Sequence, residues 1–304
     1  MQPGDLRRGE DDDLEIAANY FENRRLEQRR QIEKIHKAPL PAVFTPEADA
    51  INKKLRVLDL NITERTQPQY PKSLSEDEER QVNGFLRTAG VVSSIERERV
   101  TAKDLSRLHP GQWLNDEIIN FYGALLMTRA KTPGAKVPSG KVHNVHYFST
   151  FFWEKLEKDG YEKGRLAKWT KKIDIFSKDY LLIPVNHHNS HWTAAAVNFK
   201  KKRIESYDSL GMAGKSVCKK IREYLAAEHQ TKKGKPFNFD GWEDYIPTDN
   251  PQQQNNSDCG VFTCQTLEAF SRGEEKLHFT QANMPYLRRR MLWEIGNAKL
   301  RETL

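Results

Sequence analysis

The stretch Gln252-Gln253-Gln254-Asn255-Asn256-Ser257-Asp258-Cys259-Gly260 sets a cysteine where a polar loop gives way to an apolar, helix-compatible segment. Asp258 reads as the N-cap of that helix, and Val261, Phe262, Leu267 and Phe270 supply apolar surface for burial. A thiol at a helix N-terminus feels the positive end of the macrodipole, which favours the thiolate, the form that attacks carbonyl carbon. Gly260 is expected to leave room beside the sulfur for an incoming backbone. A lone cysteine is more often a small core residue. The polar loop in front of it and a histidine far upstream turn the reading toward chemistry.

That histidine is His191. The run from His191 to Phe199 reads as a strand, Lys200-Lys201-Lys202 as a turn-prone basic tip, and Arg203 to Asp208 as the returning strand. With a two-residue turn at Lys200-Lys201, Asp208 faces Thr193, on the face that carries His191 and diagonal to it. A slip of one residue would turn the carboxylate to the other face.

The chain thus offers a base, an acid to orient it and a thiol, in the order His191, Asp208, Cys259. The carboxylate fixes the imidazole tautomer and stabilises the imidazolium, which holds the thiolate and then protonates a leaving amine. A developing oxyanion needs donors. The Cys259 backbone N–H is one, and Gln253 is the side-chain amide best placed to be the other.

These residues resemble the Ulp/SENP family of SUMO-specific cysteine proteases. His191-Trp192, Tyr207-Asp208-Ser209 and Gln253-x-Asn255-x-x-Asp258-Cys259-Gly260 carry the resemblance. The run Trp113 to Tyr122, Phe151-Phe152 and the segment from Arg165 through Trp169 to Lys172 agree, in the family's order, from about Leu74 onward. The resemblance implies His191 as general base, Asp208 as its orienting acid, Cys259 as nucleophile and Gln253 as oxyanion donor, with no cofactor and no metal. Where the family often has glycine three residues before the cysteine, this chain has Asn256, which tolerates a left-handed turn better than most residues.

Trp113 and Trp192 read first as core aromatics. Two flat indoles also wall a slot too narrow for a residue with a Cβ, and the resemblance implies such a slot over the C-terminal diglycine of a ubiquitin-like modifier. Asn115 or Asp116 caps the helix that follows, and the resemblance places Asp116 on the modifier-binding surface. His187, His188 and His191 fall within one short segment, but no cysteine pair or carboxylate completes a zinc set. His187 and His188 are therefore read as loop residues, and Cys218 and Cys264 as core thiols. Three cysteines suit a reducing compartment.

No apolar run reaches membrane-span length and the N-terminus lacks a signal-peptide core, so the chain is expected to be soluble and not secreted. Residues 1–80 carry 14 Lys+Arg against 17 Asp+Glu, so the net charge of +7 comes from the remainder. Without a nucleic-acid motif, that excess suits an acidic protein partner better than nucleic acid. Residues 1–73 read as an extension, with a helix at about 14–37 and a proline-containing linker. Residues 74–304 read as a single catalytic domain.

Helices are expected at 78–88, 116–128, 152–158, 215–228, 259–271 and 282–299. Strands are expected at 146–148, 180–185, 192–199, 203–208 and near 236–240. This is an α+β layout with a mixed central sheet, and the resemblance makes it papain-like with permuted catalytic order. The function implied is cleavage after the C-terminal Gly-Gly of SUMO, in precursor maturation and in deconjugation from lysines. The alternatives are a protease for another modifier such as NEDD8, an acetyltransferase of the wider clan, or a non-catalytic SUMO-binding module. The resemblance also implies a monomer placed in the nucleus or at the nuclear envelope, with the cytoplasm as a further compartment.

Overall fold

The computed structural model describes residues 70–301, except 136, 138–141, 213 and 275, and before them only Leu26. Apart from Leu26, the expected helix at 14–37 lies outside the described residues, as does nearly all of the expected linker. The chain divides into two compact units, Met1–Gln67 and Pro68–Leu304. The helices and strands within residues 70–301 all belong to the second unit.

Helix α1 (Glu76–Phe85) begins at Ser75, whose hydroxyl accepts from the Glu78 amide while the Glu78 carboxylate accepts from the Ser75 amide. A hairpin comes next, β1 (Val91–Ile95) and β2 (Glu98–Thr101), then the single-turn helix α2 (Ala102–Leu105). This hairpin was not expected. Its turn carries Glu96 in the left-handed region (φ 51°), and Glu96-Arg97 has none of the Asn-Gly chemistry that marks such turns in sequence.

Helix α3 (Asp116–Lys131), β3 (Val145–Tyr147) and α4 (Thr150–Lys163) lead to the central strands β4 (Tyr180–His187), β5 (His191–Asn198) and β6 (Arg203–Tyr207). Helix α5 (Lys215–Lys233), β7 (Glu243–Tyr245), α6 (Cys259–Ser271) and α7 (Met284–Gly296) complete the order. The sheet runs β3-β4-β5-β6-β7, antiparallel through β4, β5 and β6 and parallel at both edges. It is the mixed α+β sheet expected. The fifth strand is not at 236–240. Phe237 and Phe239 alternate as a strand would, but they pack with Trp242 in an aromatic cluster. The charged Glu243–Tyr245 takes the edge instead, held by the ion pairs Arg203–Glu243 and Arg222–Asp244.

Alternation along the strands divides the core in two. Leu182, Trp192, Ala194 and Ala196 face α3, α6 and α7, while Leu181, Ile183, Val185, Ala195 and Val197 face α4 and α5. Every residue of β5 is buried, and its alanines let α6 pack closely against the sheet. Beneath that helix lies a buried ionic network. Glu268 (α6), 0% exposed, pairs with Arg129 (α3) at 2.6 Å and Arg272 at 2.8 Å. Tyr122 links α3 to Glu294 (α7) at 3.0 Å and accepts from Gln265 (α6) at 3.1 Å. Burial would raise the Glu268 pKa, but Arg129, Arg272 and Arg290 outweigh it and hold it at about 2. Among the described residues no helix is long and apolar enough to cross a membrane.

Candidate active site

Strand β5 begins with His191, β6 ends one residue before Asp208, and α6 begins with Cys259, so three elements deliver their termini to one end of the sheet. The hairpin register is the one expected, since Ala194 pairs with Tyr207 and Asn198 with Arg203. The connection is wider than expected, four residues from Phe199 to Lys202 with Lys202 left-handed (φ 52°). The register is unchanged because the added residues are shared between the two arms.

His191 Nε2 lies 2.6 Å from Asp208 Oδ1, and the ring also interacts with the Cys259 side chain. Burial alone would lower the imidazole's pKa, but the hydrogen bonds and charges of Asp208 and Cys259 outweigh it and raise it to about 9. Asp208 is itself oriented. Its Oδ1 accepts from the Leu210 amide at 2.8 Å and its Oδ2 from the Met212 amide at 2.9 Å. All three side chains are almost fully buried.

Several local expectations are corrected. Asp258 occupies the N-cap position, but its side chain makes no capping bond to α6. The carboxylate turns away to Arg288, Asn255 and Gln281. Those partners overcome the effect of burial and hold its pKa below the ordinary aspartate value. Asn256 does not take the left-handed conformation. The turn is made instead by Asn255, whose Oδ1 accepts from the amides of Ser257 (3.0 Å) and Asp258 (3.1 Å). Nor does Gly260 open a channel for substrate, because a Cβ there would lie 2.9 Å from the Leu114 side chain. Its missing side chain lets α6 pack against the loop that carries Trp113. His187 is not a loop residue. It ends β4, its ring stacks at 24° to that of His191 with centroids 6.0 Å apart, and Nε2 meets Thr193 Oγ1 at 3.0 Å. Burial, with the charge of His191 adding to it, pushes its pKa down to about 4.

Gln253 is buried beside the triad. Its backbone amide donates to Ser209 O at 2.9 Å, Oε1 accepts from the Ser209 hydroxyl at 2.7 Å, and Nε2 donates to Asn255 O. The residue following Asp208 therefore sets the plane of this amide. Trp192 is 6% exposed and its Nε1 donates to Leu114 O at 3.1 Å, which anchors the segment on which half-buried Trp113 sits. Asn115, not Asp116, caps α3 by accepting from the Ile118 amide at 3.3 Å. That leaves Asp116 in the first turn with its carboxylate uncommitted to capping. Cys218 and Cys264 are buried, and burial raises both thiols well above the ordinary value, Cys218 to about 12. No metal-binding group of three or more ligands occurs among the described residues.

Sequence reasoning passed over Arg288, and it included Ser209 and Leu114 in motifs without giving either a role. Arg288 carried no signal beyond being one arginine among three in Arg288-Arg289-Arg290, on a helix read for its apolar face.

The chain matches the model of the Ulp1 protease family, C-terminal catalytic domain, over residues 112–300. It is similar to a sentrin-specific protease of Caenorhabditis elegans, 43% identical over 206 residues, covering 68% of this chain and 28% of that protein. It is also similar to human sentrin-specific protease 2, 36% identical over 232 residues, covering 75% of this chain and 38% of that protein. The chain spans less than half the length of these curated relatives. Among solved structures it is similar to the yeast C-terminal Ulp1 protease domain in complex with Smt3, the yeast ortholog of SUMO. That likeness has a TM-score of 0.61 at 27% identity, covering 74% of this chain and 96% of that one. The catalytic domain of a Chaetomium thermophilum Ulp1-like SUMO protease shares the fold, with a TM-score of 0.62 at 23% identity, covering 76% of this chain and 95% of that one.

Proposed function

We propose, from the premise that this chain belongs to the Ulp1 protease family, that it is a thiol isopeptidase and endopeptidase cleaving after the C-terminal Gly-Gly of SUMO. The observation that carries the reading is Cys259 at the start of a buried helix, set against an imidazole that a buried carboxylate holds at 2.6 Å. A charged imidazole keeps the sulfur as thiolate, and the thiolate adds to the carbonyl carbon of the terminal glycine. The Cys259 amide and the second amide hydrogen of Gln253 stabilise the oxyanion. His191 then protonates the departing lysine or peptide amine, and water attacks the thioester with His191 as base. No step calls for a cofactor.

The diglycine passes between Trp113 and Trp192, where the hydrogen bond from Trp192 to Leu114 O supports a slot of fixed width. Asp116 contributes to the surface that receives the modifier's basic side chains. The reading extends to a monomer without nucleic-acid partners, acting on SUMO precursors and SUMO–lysine conjugates in the nucleus or at its envelope. The test is to incubate the protein with a SUMO precursor and with an isopeptide-linked SUMO conjugate, beside NEDD8 counterparts. Release of free SUMO ending in Gly-Gly from both SUMO substrates is expected. Preferential cleavage of the NEDD8 substrates would assign the alternative modifier, and intact substrates throughout would leave a binding module.

A further inference from the structure

The guanidinium of Arg288 joins the residue before Trp113 to the residue before Cys259. Arg288 is 2% exposed, and every one of its donors is engaged. Nε donates to Asp258 Oδ1 at 2.7 Å. Nη1 donates to Arg107 O at 3.2 Å and His109 O at 3.0 Å, and Nη2 to Gln112 O at 2.9 Å and Ser257 O at 2.8 Å. Four of these five acceptors are backbone carbonyls, so the pattern fixes main chain. Three of those carbonyls belong to the loop that ends at Trp113. The fourth and the carboxylate belong to the residues that enter α6 at Cys259.

We propose that Arg288 is a positioning residue that sets the gap between the Trp113 indole and the Cys259 thiol, and with it the selectivity for glycine in the slot. On the other side of Trp113, Leu114 is fixed twice, by Trp192 Nε1 at its carbonyl and by contact with Gly260 at its side chain. Trp113 is therefore held on both flanks against the helix that carries the nucleophile, and Arg288 supplies the N-terminal flank. Asp258 does not cap the helix because the guanidinium takes its carboxylate. Lysine has the charge but only three donors around one nitrogen, so it cannot reach both loops in the plane of the fork.

The inference rests on the proposed reading, and its test is a ratio. Cleavage of a SUMO substrate ending in Gly-Gly is compared with one ending in Ala-Gly, for wild type and Arg288→Lys. A methyl group forced into a tight aromatic slot should slow wild type by about 5- to 150-fold. In Arg288→Lys the loop relaxes and the ratio should fall to within about threefold, with kcat/KM for Gly-Gly also reduced. Partial unfolding lowers both rates equally and leaves the ratio untouched. Arg290→Lys, equally buried but paired with Glu294 inside its own helix, should keep the wild-type ratio.

Should Arg288→Lys fail to fold, Asp258→Asn offers a second test. It weakens the nucleophile end of the clamp, where Ser257 O still accepts from Nη2, so the Gly/Ala ratio should fall by less than in Arg288→Lys, with kcat reduced as well. A wild-type ratio retained in Arg288→Lys, or in Asp258→Asn where Arg288→Lys does not fold, or a ratio lost as fully in Arg290→Lys, overturns the assignment and leaves the proposed function standing. Wild type that cuts neither substrate overturns both.

Discussion

His191 Nε2 and Asp208 Oδ1 meet at 2.6 Å across the β5–β6 hairpin, with both side chains almost fully buried. Two backbone amides hold the same carboxylate from behind, so the imidazole faces a fixed charge and not a mobile one. That geometry keeps the imidazole charged up to about pH 9 in spite of its burial.

The alkaline side of activity depends on it. The rate should hold up to about pH 9 and then fall as His191 loses the proton that it must keep on the ring and later deliver. Asp208→Asn removes the charge that raises this pKa, so the alkaline limb should move down toward the ordinary histidine value. The turnover should also drop, by up to the ~10⁴ of the corresponding change in serine-protease triads and by less if the thiol ionises without help. Matching pH–rate profiles for the two proteins would remove Asp208 from the mechanism.

Stability carries the same signature with its own sign. The folded-state pKa of His191 lies above the ordinary value, so its contribution is complete below about pH 6.5 and lost as pH rises through about 9. His187 acts in the opposite sense: with its pKa pushed to about 4, its contribution is present above about 6.5 and lost as pH falls through 4. Thermal melts across this range should decline at both ends, and His187→Phe should flatten the acid decline while leaving the alkaline one. An unaltered acid decline would show that the carboxylates alone cause it.

Gly260→Ala places a methyl group 2.9 Å from Leu114, where something must shift. The cost should be about 1–3 kcal/mol in stability, with a loss of kcat/KM out of proportion to it, because Leu114 is the residue after Trp113. Denaturant melts and steady-state rates measured together check this. A variant as active as wild type would mean that the contact does not position the loop.

Glu268→Gln strips the charge that Arg129, Arg272 and Arg290 share beneath α6. Removing one partner of a buried ionic network leaves uncompensated charge, so a loss of about 3–5 kcal/mol is expected. The effect should shrink as pH falls toward about 2 and be lost below it, as the wild-type carboxyl itself takes up a proton. Melts that coincide at neutral pH would show that the arginines find other partners.

What the sequence made legible was governed by period and by the chemistry of single residues. The β5–β6 register could be read because Asp208 and His191 had to share a face, and the start of α6 at Cys259 because polar gave way to apolar there. The β1–β2 hairpin could not, since its turn at Glu96-Arg97 uses residues with no turn preference. Strand β7 was misplaced because edge pairing of Glu243–Tyr245 depends on ion pairs with Arg203 and Arg222, which no alternation records. At the site, residue types pointed to His191, Asp208, Cys259 and Gln253, and the structure brings these four together. The roles given there to Asp258, Asn256 and Gly260 failed because each depends on a contact outside its own position, with Arg288 for Asp258 and with Leu114 for Gly260. Such contacts belong to tertiary packing and leave no mark within a few residues of chain.

The most direct measurement is covalent labelling by SUMO, NEDD8 and ubiquitin that each carry an electrophile in place of the C-terminal carboxylate, followed by mass spectrometry of the adduct. A single SUMO adduct on Cys259, absent in Cys259→Ser although that variant still binds SUMO, is the predicted result. An adduct on Cys218 or Cys264, equal labelling by all three probes, or none by the SUMO probe would contradict the account.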